Sequence, residues 1–493
     1  MDALPGFRSG AEGPDESNNI KVSIELKEGN EWRFEVPFKL TMILKVTQGI
    51  GEIFGTELPT NSELELSGVK YSVYAPLPEG CTLEYYLKLS KENSNTSNEG
   101  SEISEYISED NCMAQYMNLH FALESKRQEI SDFNYLNPNE TKTGPKILII
   151  GGKYSGKTTL SKILSSYAFK MDRQPMLVNL NPRDGVFSIP GSLTSTPISD
   201  NFDLESIGGY GGTVTSGTTY HNPKQPIVKN YGFEDFNTNM DLYKHQIESL
   251  GAVTIERLKK DITIKNSGCI IDTPPLTMKN YDIIETIISE FQVDYIVVLG
   301  NEKLLADLKR KLNHKIVSQQ LLIIKVPKSE GVVELEDTYI RKCQEESIKE
   351  YFNGNFRNPL SPFKTEITLD DFTIFKVIET SEFNSSLMFA PAGDSFEPDA
   401  TDENDEKKKE EEYDKYFKKI EDFSTNNLEN LIIAITHTPL SNKSLKDILN
   451  SDVQGYIHVS KFEESKNKLK VLLPVPGAFP KCNLISTNIG YTE

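Results

Sequence analysis

The sequence predicts a multidomain α/β protein: a central P-loop domain with a doubly wound parallel sheet, flanked by an N-terminal β-sandwich and a C-terminal β-rich domain. Three observations carry this. Residues Gly151 to Thr158 read Gly-Gly-Lys-Tyr-Ser-Gly-Lys-Thr, a complete G-x-x-x-x-G-K-[ST] loop set between the apolar run Ile147-Leu148-Ile149-Ile150 and a helical pattern. Short alternating segments precede that loop, and short strands return after Asn358. At 493 residues the chain also exceeds what one hydrophobic core supports, so several domains are expected.

Residues 1–19 form a leader rich in Gly, Ser and Asp between Arg8 and Asn19, which predicts a flexible start. Residues 20–130 then form the first domain. Val22 to Leu26 and Trp32 to Val36 alternate apolar and polar residues as half-buried strands do. Thr41 to Val46, Glu52 to Phe54, Glu63 to Leu66, Lys70 to Tyr74 and Leu83 to Leu89 continue an antiparallel sandwich. Ser90 to Asp110, rich in Ser, Asn and Glu, predicts a mobile excursion. Met113, Met117, Phe121 and Leu123 recur at helical spacing and predict a linking helix.

The second domain, residues 131–358, has longer alternating units. Ile147 to Ile150, Pro175 to Leu180, Cys269 to Ile271, Tyr295 to Leu299 and Leu321 to Val326 predict buried parallel strands, with helices between them such as Lys157 to Lys170. Residues 359–493 form the third domain, with strands over Thr373 to Val377, Leu431 to Thr436, Gly455 to Val459 and Leu469 to Leu473. It carries an acidic insertion at 393–425, whose charged stretch Phe396 to Asp422 reads as solvated.

Composition narrows the function classes. A formal charge of −20 opposes non-specific attraction to nucleic acid, which needs clustered Lys and Arg. The five cysteines lack a C-x-x-C pair or histidines at zinc spacing, which speaks for a reducing compartment and against a metal centre built on thiolates. No apolar stretch approaches membrane-spanning length, and Met1-Asp2-Ala3-Leu4-Pro5 lacks the features of a signal peptide. A soluble intracellular protein is expected.

The loop itself predicts nucleoside triphosphate binding. Its backbone N–H groups would converge on phosphate oxygens at the positive end of a helix, with Lys157 reaching the β/γ-phosphates and the Thr158 hydroxyl ligating Mg²⁺. Asp272 ends the apolar strand Cys269-Ile270-Ile271 as Walker B carboxylates do, and is a second metal candidate, acting through water or through Thr158. The glycine-rich segment Gly208 to Gly217 is expected to be a flexible surface turn left from a substrate groove, with a second phosphate or RNA loop as the alternative.

Beyond the loop, the chain carries Ile53-Phe54-Gly55-Thr56-Glu57-Leu58, Val178 to Gly185, Phe187 to Gly191, Lys325 to Val332, Ile348 to Phe352 and Val471 to Gly477. Over nearly its whole length it resembles the Clp family of polynucleotide 5′-hydroxyl kinases. Within that family it is similar to the fungal branch, the cleavage factor IA subunit of pre-mRNA 3′-end cleavage and polyadenylation. The resemblance implies ATP and Mg²⁺ as cofactors, with Glu31 and Lys70 matching the base-contacting positions and Tyr154, Ser155, Gly156, Lys157, Thr158 and Thr159 matching the phosphate loop. It further implies a nuclear location. As partners it implies other 3′-end processing subunits and a large cleavage-factor IA subunit that contacts the RNA polymerase II C-terminal domain.

Against active relatives, the acceptor side departs three times. Asn181 stands where they carry the Asp that orients or deprotonates the hydroxyl; Asp184 lies three residues on. The lid stretch Glu334 to Arg341 keeps only Arg341 behind acidic neighbours, and Gln344 and Ser347 replace basic residues. Leu276 stands where a Trp clamps the terminal base. The expected function is an ATP-bound, non-catalytic scaffold, with an active RNA 5′-hydroxyl kinase as the alternative. A slow ATPase or GTPase switch is a third reading, without an evident glutamine or arginine to activate water.

Overall fold

The structure, a computed structural model, describes residues 21–89, 103–211, 225–355, 357–383, 413, 415–421 and 428–492. These fall into two compact units: residues 1–53 with 57–110, and residues 54–56 with 111–493.

The smaller unit is a β-sandwich. Its strands are β1 (Val22–Leu26), β2 (Glu31–Val36), β3 (Leu40–Gly49), β4 (Glu52–Ile53), β5 (Thr56–Glu57, whose first residue falls in the larger unit), β6 (Glu63–Leu66), β7 (Val69–Tyr74), β8 (Cys81–Leu89) and β9 (Ser104–Ser108). Two sheets result, ordered β1-β8-β3-β6 and β5-β4-β7-β2-β9. Trp32, the sole tryptophan, is fully buried and stacks on Tyr85 at 5.4 Å. Its indole N–H donates to Glu105 at 2.8 Å, and the Tyr85 hydroxyl donates to the other Glu105 oxygen at 2.6 Å. Glu105 lies on β9, within the stretch expected to be a mobile excursion. Composition hid this strand because β9 alternates polar residues on an edge, and its single carboxylate satisfies two buried donors. Residues 90–102 of that stretch lie outside the described residues.

The larger unit begins with α1 (Met113–Leu136), then β10 (Lys146–Gly151), α2 (Lys157–Lys170), β11 (Met176–Asn179), β12 (Ser192–Pro197), β13 (Ile227–Asn230), α3 (Met240–Lys260), α4 (Ile262–Ser267) and β14 (Cys269–Asp272). It continues through α5 (Tyr281–Glu290), β15 (Tyr295–Leu299), α6 (Glu302–Lys311), α7 (Asn313–Val317), β16 (Leu322–Val326) and α8 (Asp337–Asn353). The seven-stranded sheet runs β13-β12-β11-β14-β10-β15-β16. The five predicted strands are its parallel part, and β12 and β13 add an antiparallel edge that the apolar runs did not reveal. All six residues of β10 are buried, as a strand covered on both faces requires.

The chain closes with β17 (Phe363–Thr368), β18 (Ile374–Val377), β19 (Phe417–Lys419), β20 (Leu431–Pro439), α9 (Leu445–Asn450), β21 (Val453–Glu463), β22 (Lys468–Leu473) and β23 (Cys482–Gly490). Their sheet runs β17-β22-β21-β20-β23-β18-β19. Alternation along β20 serves two cores: Ile432 and Ala434 join the core of the central sheet, while Ile433 and Ile435 face a second cluster with Ile457, Val471 and Leu484. Tyr456 and Tyr491 belong to the first of these, packed with Tyr351 and Phe352 of α8. β19 lies inside the stretch expected to be a solvated insertion; Phe417 is buried against Phe375 at 5.0 Å and anchors it. Most of the rest of 393–425 lies outside the described residues.

Candidate functional site

β10 delivers the chain to the loop, and β14 lies beside it in parallel, with Ile149 opposite Asp272. Both strands therefore end at the same edge of the sheet, where open α/β sheets bind ligands. Gly156 takes φ 87° as the N-cap of α2, a left-handed conformation that favours glycine, and it supplies no side-chain cap. The first-turn N–H groups of α2 are thus left without a side-chain cap for an anion. Tyr154 holds φ 52°, a strained value for a side-chain-bearing residue, and its hydroxyl donates to the Leu335 carbonyl at 2.6 Å.

Lys157 is buried, and its Nζ donates to the Gly152 and Gly151 carbonyls at 2.9 and 3.4 Å. Burial lowers its pKa, with Asp272 and Asp184 pulling the other way. A Cβ built on Gly152 would meet nothing within 4 Å, so there is open space beside that residue, whereas one on Gly156 would meet Val332 at 3.1 Å. A desolvated ammonium hydrogen-bonded to carbonyls, an uncapped helix start and open space beside Gly152 fit a polyphosphate. Ser155 Oγ donates to the Gly152 carbonyl at 3.0 Å and braces the turn. Thr159 follows Thr158 on the first turn of α2.

Thr158 Oγ1 donates to Asp272 Oδ2 at 2.6 Å, and the Thr273 N–H donates to Asp272 Oδ1 at 3.0 Å. Burial pushes the Asp272 carboxyl up to about 6, partly offset by the Thr158 hydrogen bond and by Lys157. A hydroxyl and a carboxylate in contact beside a phosphate loop can ligate Mg²⁺.

The acceptor-side residues are arranged differently. Asn181 donates its amide to Asp184 Oδ2 at 2.7 Å. Arg183 pairs with Asp337 at 3.1 Å, and Gln344 donates to the Arg183 carbonyl at 3.2 Å. Arg341 is exposed on α8. Leu276 is fully buried in the central core with Ile283 and Ile284. Ser347 lines a small polar pocket with Gly185, Ser188, Ile207, Gly211 and Glu350.

Glu31 and Lys70 lie in the smaller unit, on paired strands. Glu31 sits opposite Tyr74 and Lys70 opposite Glu35, so the two occupy opposite ends of the β2–β7 ladder. Glu31 is buried and accepts from Arg33 at 2.9 Å; burial raises its carboxyl against that pairing. Lys70 donates to Glu35 at 2.6 Å.

Two residues escaped sequence reasoning. Glu350 takes the Ile207 N–H at 2.9 Å and an Asn355 N–H at 3.2 Å, and burial raises its carboxyl to about 7. Lys162 is buried on α2 and donates to the Gly208 carbonyl. Glu350 sits in the segment Ile348 to Phe352 that carried the resemblance, but nothing local assigns it a role; Lys162 carries no local signal, since its partner Gly208 is distant in sequence. The glycine-rich segment that begins at Gly208 was expected to be a flexible surface turn, yet Gly209 and Tyr210 are buried; residues 212–217 lie outside the described residues.

The comparisons with known proteins agree over the whole chain. The family described as "mRNA cleavage and polyadenylation factor CLP1 P-loop" matches residues 151–354, "N-terminal beta-sandwich domain of polyadenylation factor" matches 25–130, and "Pre-mRNA cleavage complex II protein Clp1" matches 360–493. The mRNA cleavage and polyadenylation factor CLP1 of Debaryomyces hansenii is 59% identical over 497 residues, and that of Candida albicans 53% over 497, each with 100% of both chains covered. Among solved structures, the wild-type Clp1p–Pcf11p (454–563) complex aligns with a TM-score of 0.78 at 30% identity, covering 97% of this chain and 99% of that one. A second, described as the extended interface between Pcf11p and Clp1p and the structural basis for ATP loss in a glycine-to-arginine point mutant, also aligns at 0.78 and 30%, covering 97% and 100%. With identity of this order from end to end and all three domain families in sequence, the chain belongs to the CLP1 family of mRNA cleavage and polyadenylation factors.

Proposed function

We propose that this chain is an ATP-binding, non-catalytic scaffold subunit of the nuclear pre-mRNA 3′-end cleavage and polyadenylation machinery. One contrast carries the reading. Lys157, Thr158 and Asp272 converge at the ends of β10 and β14, whereas the amide of Asn181 occupies the carboxylate beside it. Tyr154, Ser155, Gly156 and Thr159 complete the phosphate loop, and Thr158 with Asp272 would hold Mg²⁺. The metal would neutralise phosphate charge when bound. The resemblance gives Glu31 and Lys70 to the base, and substituting each tests that assignment by nucleotide affinity. The partner is a Pcf11-like large subunit of cleavage factor IA that contacts the RNA polymerase II C-terminal domain; solved relatives in complex with Pcf11p support this. Other 3′-end processing subunits complete the assembly.

A bound nucleotide then acts by linkage: a ligand at ~100 times its dissociation constant adds ~2.7 kcal/mol to the folded state without being consumed. The alternative, an active RNA 5′-hydroxyl kinase, is favoured by one observation: desolvation raises the Asp184 carboxyl, as a proton acceptor needs, while Lys162 and Lys157 act on it from the phosphate-loop helix. Incubation with γ-labelled ATP and a 5′-hydroxyl RNA separates the two. Intact ATP recovered from denatured protein, with RNA label no higher than for Lys157→Ala, is the expected result. Labelled RNA above that control overturns the scaffold reading.

A further inference from the structure

Lys162 lies on α2, little more than one turn beyond the phosphate-loop residues Lys157 and Thr158. Its ammonium is buried, donates to the Gly208 carbonyl, and stands over two aromatic faces, Tyr210 at 4.1 Å and Phe54 at 4.5 Å, all within the larger unit. A buried ammonium persists only where carbonyls and ring faces replace water. From the other side, Glu350 of α8 holds the Ile207 N–H. The glycine-rich turn Ile207 to Gly211 is thus clamped between α2 and α8, with Tyr210 packed edge-on against Phe187 and Phe202.

We infer that Lys162 is a positioning residue that couples nucleotide occupancy at the start of α2 to the order of the Ile207–Gly211 turn. The inference rests on the donor-pocket reading given above. The carboxylates that act on Lys162 are Asp272, at the nucleotide side, and Asp184, at the acceptor side, and burial has lowered its pKa to about 7. An anion arriving at the same helix start favours the ammonium form, and so strengthens its hold on the Gly208 carbonyl and the Tyr210 ring. Reciprocity fixes the size of the effect: the factor by which ATP protects the turn equals the factor by which the clamp tightens ATP.

The test is hydrogen exchange over 207–211 in the full chain, with and without Mg·ATP, alongside ATP affinity by titration calorimetry. Three variants are compared: Lys162→Met, Lys162→Arg and Tyr210→Leu. Lys162→Met is expected to speed exchange of the turn about tenfold or more, to abolish its further protection by ATP, and to weaken ATP by the same factor as the protection lost. Lys162→Arg, which keeps a donor and a cation over the rings, is expected to restore both; Tyr210→Leu gives an intermediate result and serves if Lys162→Met does not fold. Unchanged exchange in Lys162→Met, or Arg behaving as Met, overturns the inference. Absence of ATP binding by the unsubstituted chain overturns the donor-pocket reading instead, and the nucleotide-free comparison then decides the clamp alone.

Discussion

The two halves of the candidate site are built from similar materials and differ in what their polar groups face. On the donor side, around β10, α2 and the end of β14, Lys157, Thr158 and Asp272 are buried or half-buried, and each holds a partner that a ligand could replace. On the acceptor side, Asn181 pairs with Asp184, Arg183 with Asp337, and Leu276 is core. A pocket that keeps desolvated charge bears an electrostatic cost that bound phosphate relieves. One whose polar groups are bonded to one another offers an incoming group less to relieve.

The largest expected effect is on the donor side. Removing a buried charge-assisted donor costs ~2–3 kcal/mol, so Lys157→Ala should weaken ATP ~30–200-fold, and the thermal shift on adding ATP should vanish. A retained shift breaks the comparison at its stronger half. Next, Leu276→Trp should destabilise the chain by ~1–3 kcal/mol through overpacking, read by denaturant unfolding, because that position has become interior. A neutral outcome with new affinity for single-stranded RNA would show a base clamp waiting to be refilled.

Glu350 sharpens the comparison through pH. Its folded value of about 7 lies above its ordinary 4.5, so its stabilising contribution is complete below pH 4.5 and is lost as pH rises through 7. Glu350→Gln should flatten that fall, a relative gain of roughly 1–3 kcal/mol at pH 8 over pH 4.5, measured by urea unfolding at both. The smallest effect is expected from Asn181→Asp: RNA labelling should stay at the Lys157→Ala level, since one restored carboxylate beside Asp184 adds repulsion and returns neither lid cations nor a base platform. Strong labelling would show that a single amide had silenced a kinase.

Legibility followed range. The phosphate loop, Asp272 and the parallel strands were readable because each is a local pattern whose chemistry sits within a few residues of itself. β12 and β13 were not, since Ser192–Pro197 and Ile227–Asn230 are buried by neighbours more than by their own apolar content. β9 and β19 were hidden in polar stretches and are fixed by long-range partners, β9 by its ladder with β2 and by Glu105, β19 by its ladder with β18 and by Phe417. Lys162 and the role of Glu350 within Ile348 to Phe352 were invisible for the same reason: their meaning lies in a glycine turn brought to them by the fold.

The shared core between the central sheet and the C-terminal sheet bears on how the chain is made. Ile485 and Ile489 of β23 and Tyr491 beyond it fill the same interior as Leu148 and Ile271. A nascent polypeptide therefore cannot seal its nucleotide-binding layer until β23 has left the ribosome, and a transcript truncated before that strand would yield a product with an oily flank open to chaperones and proteases.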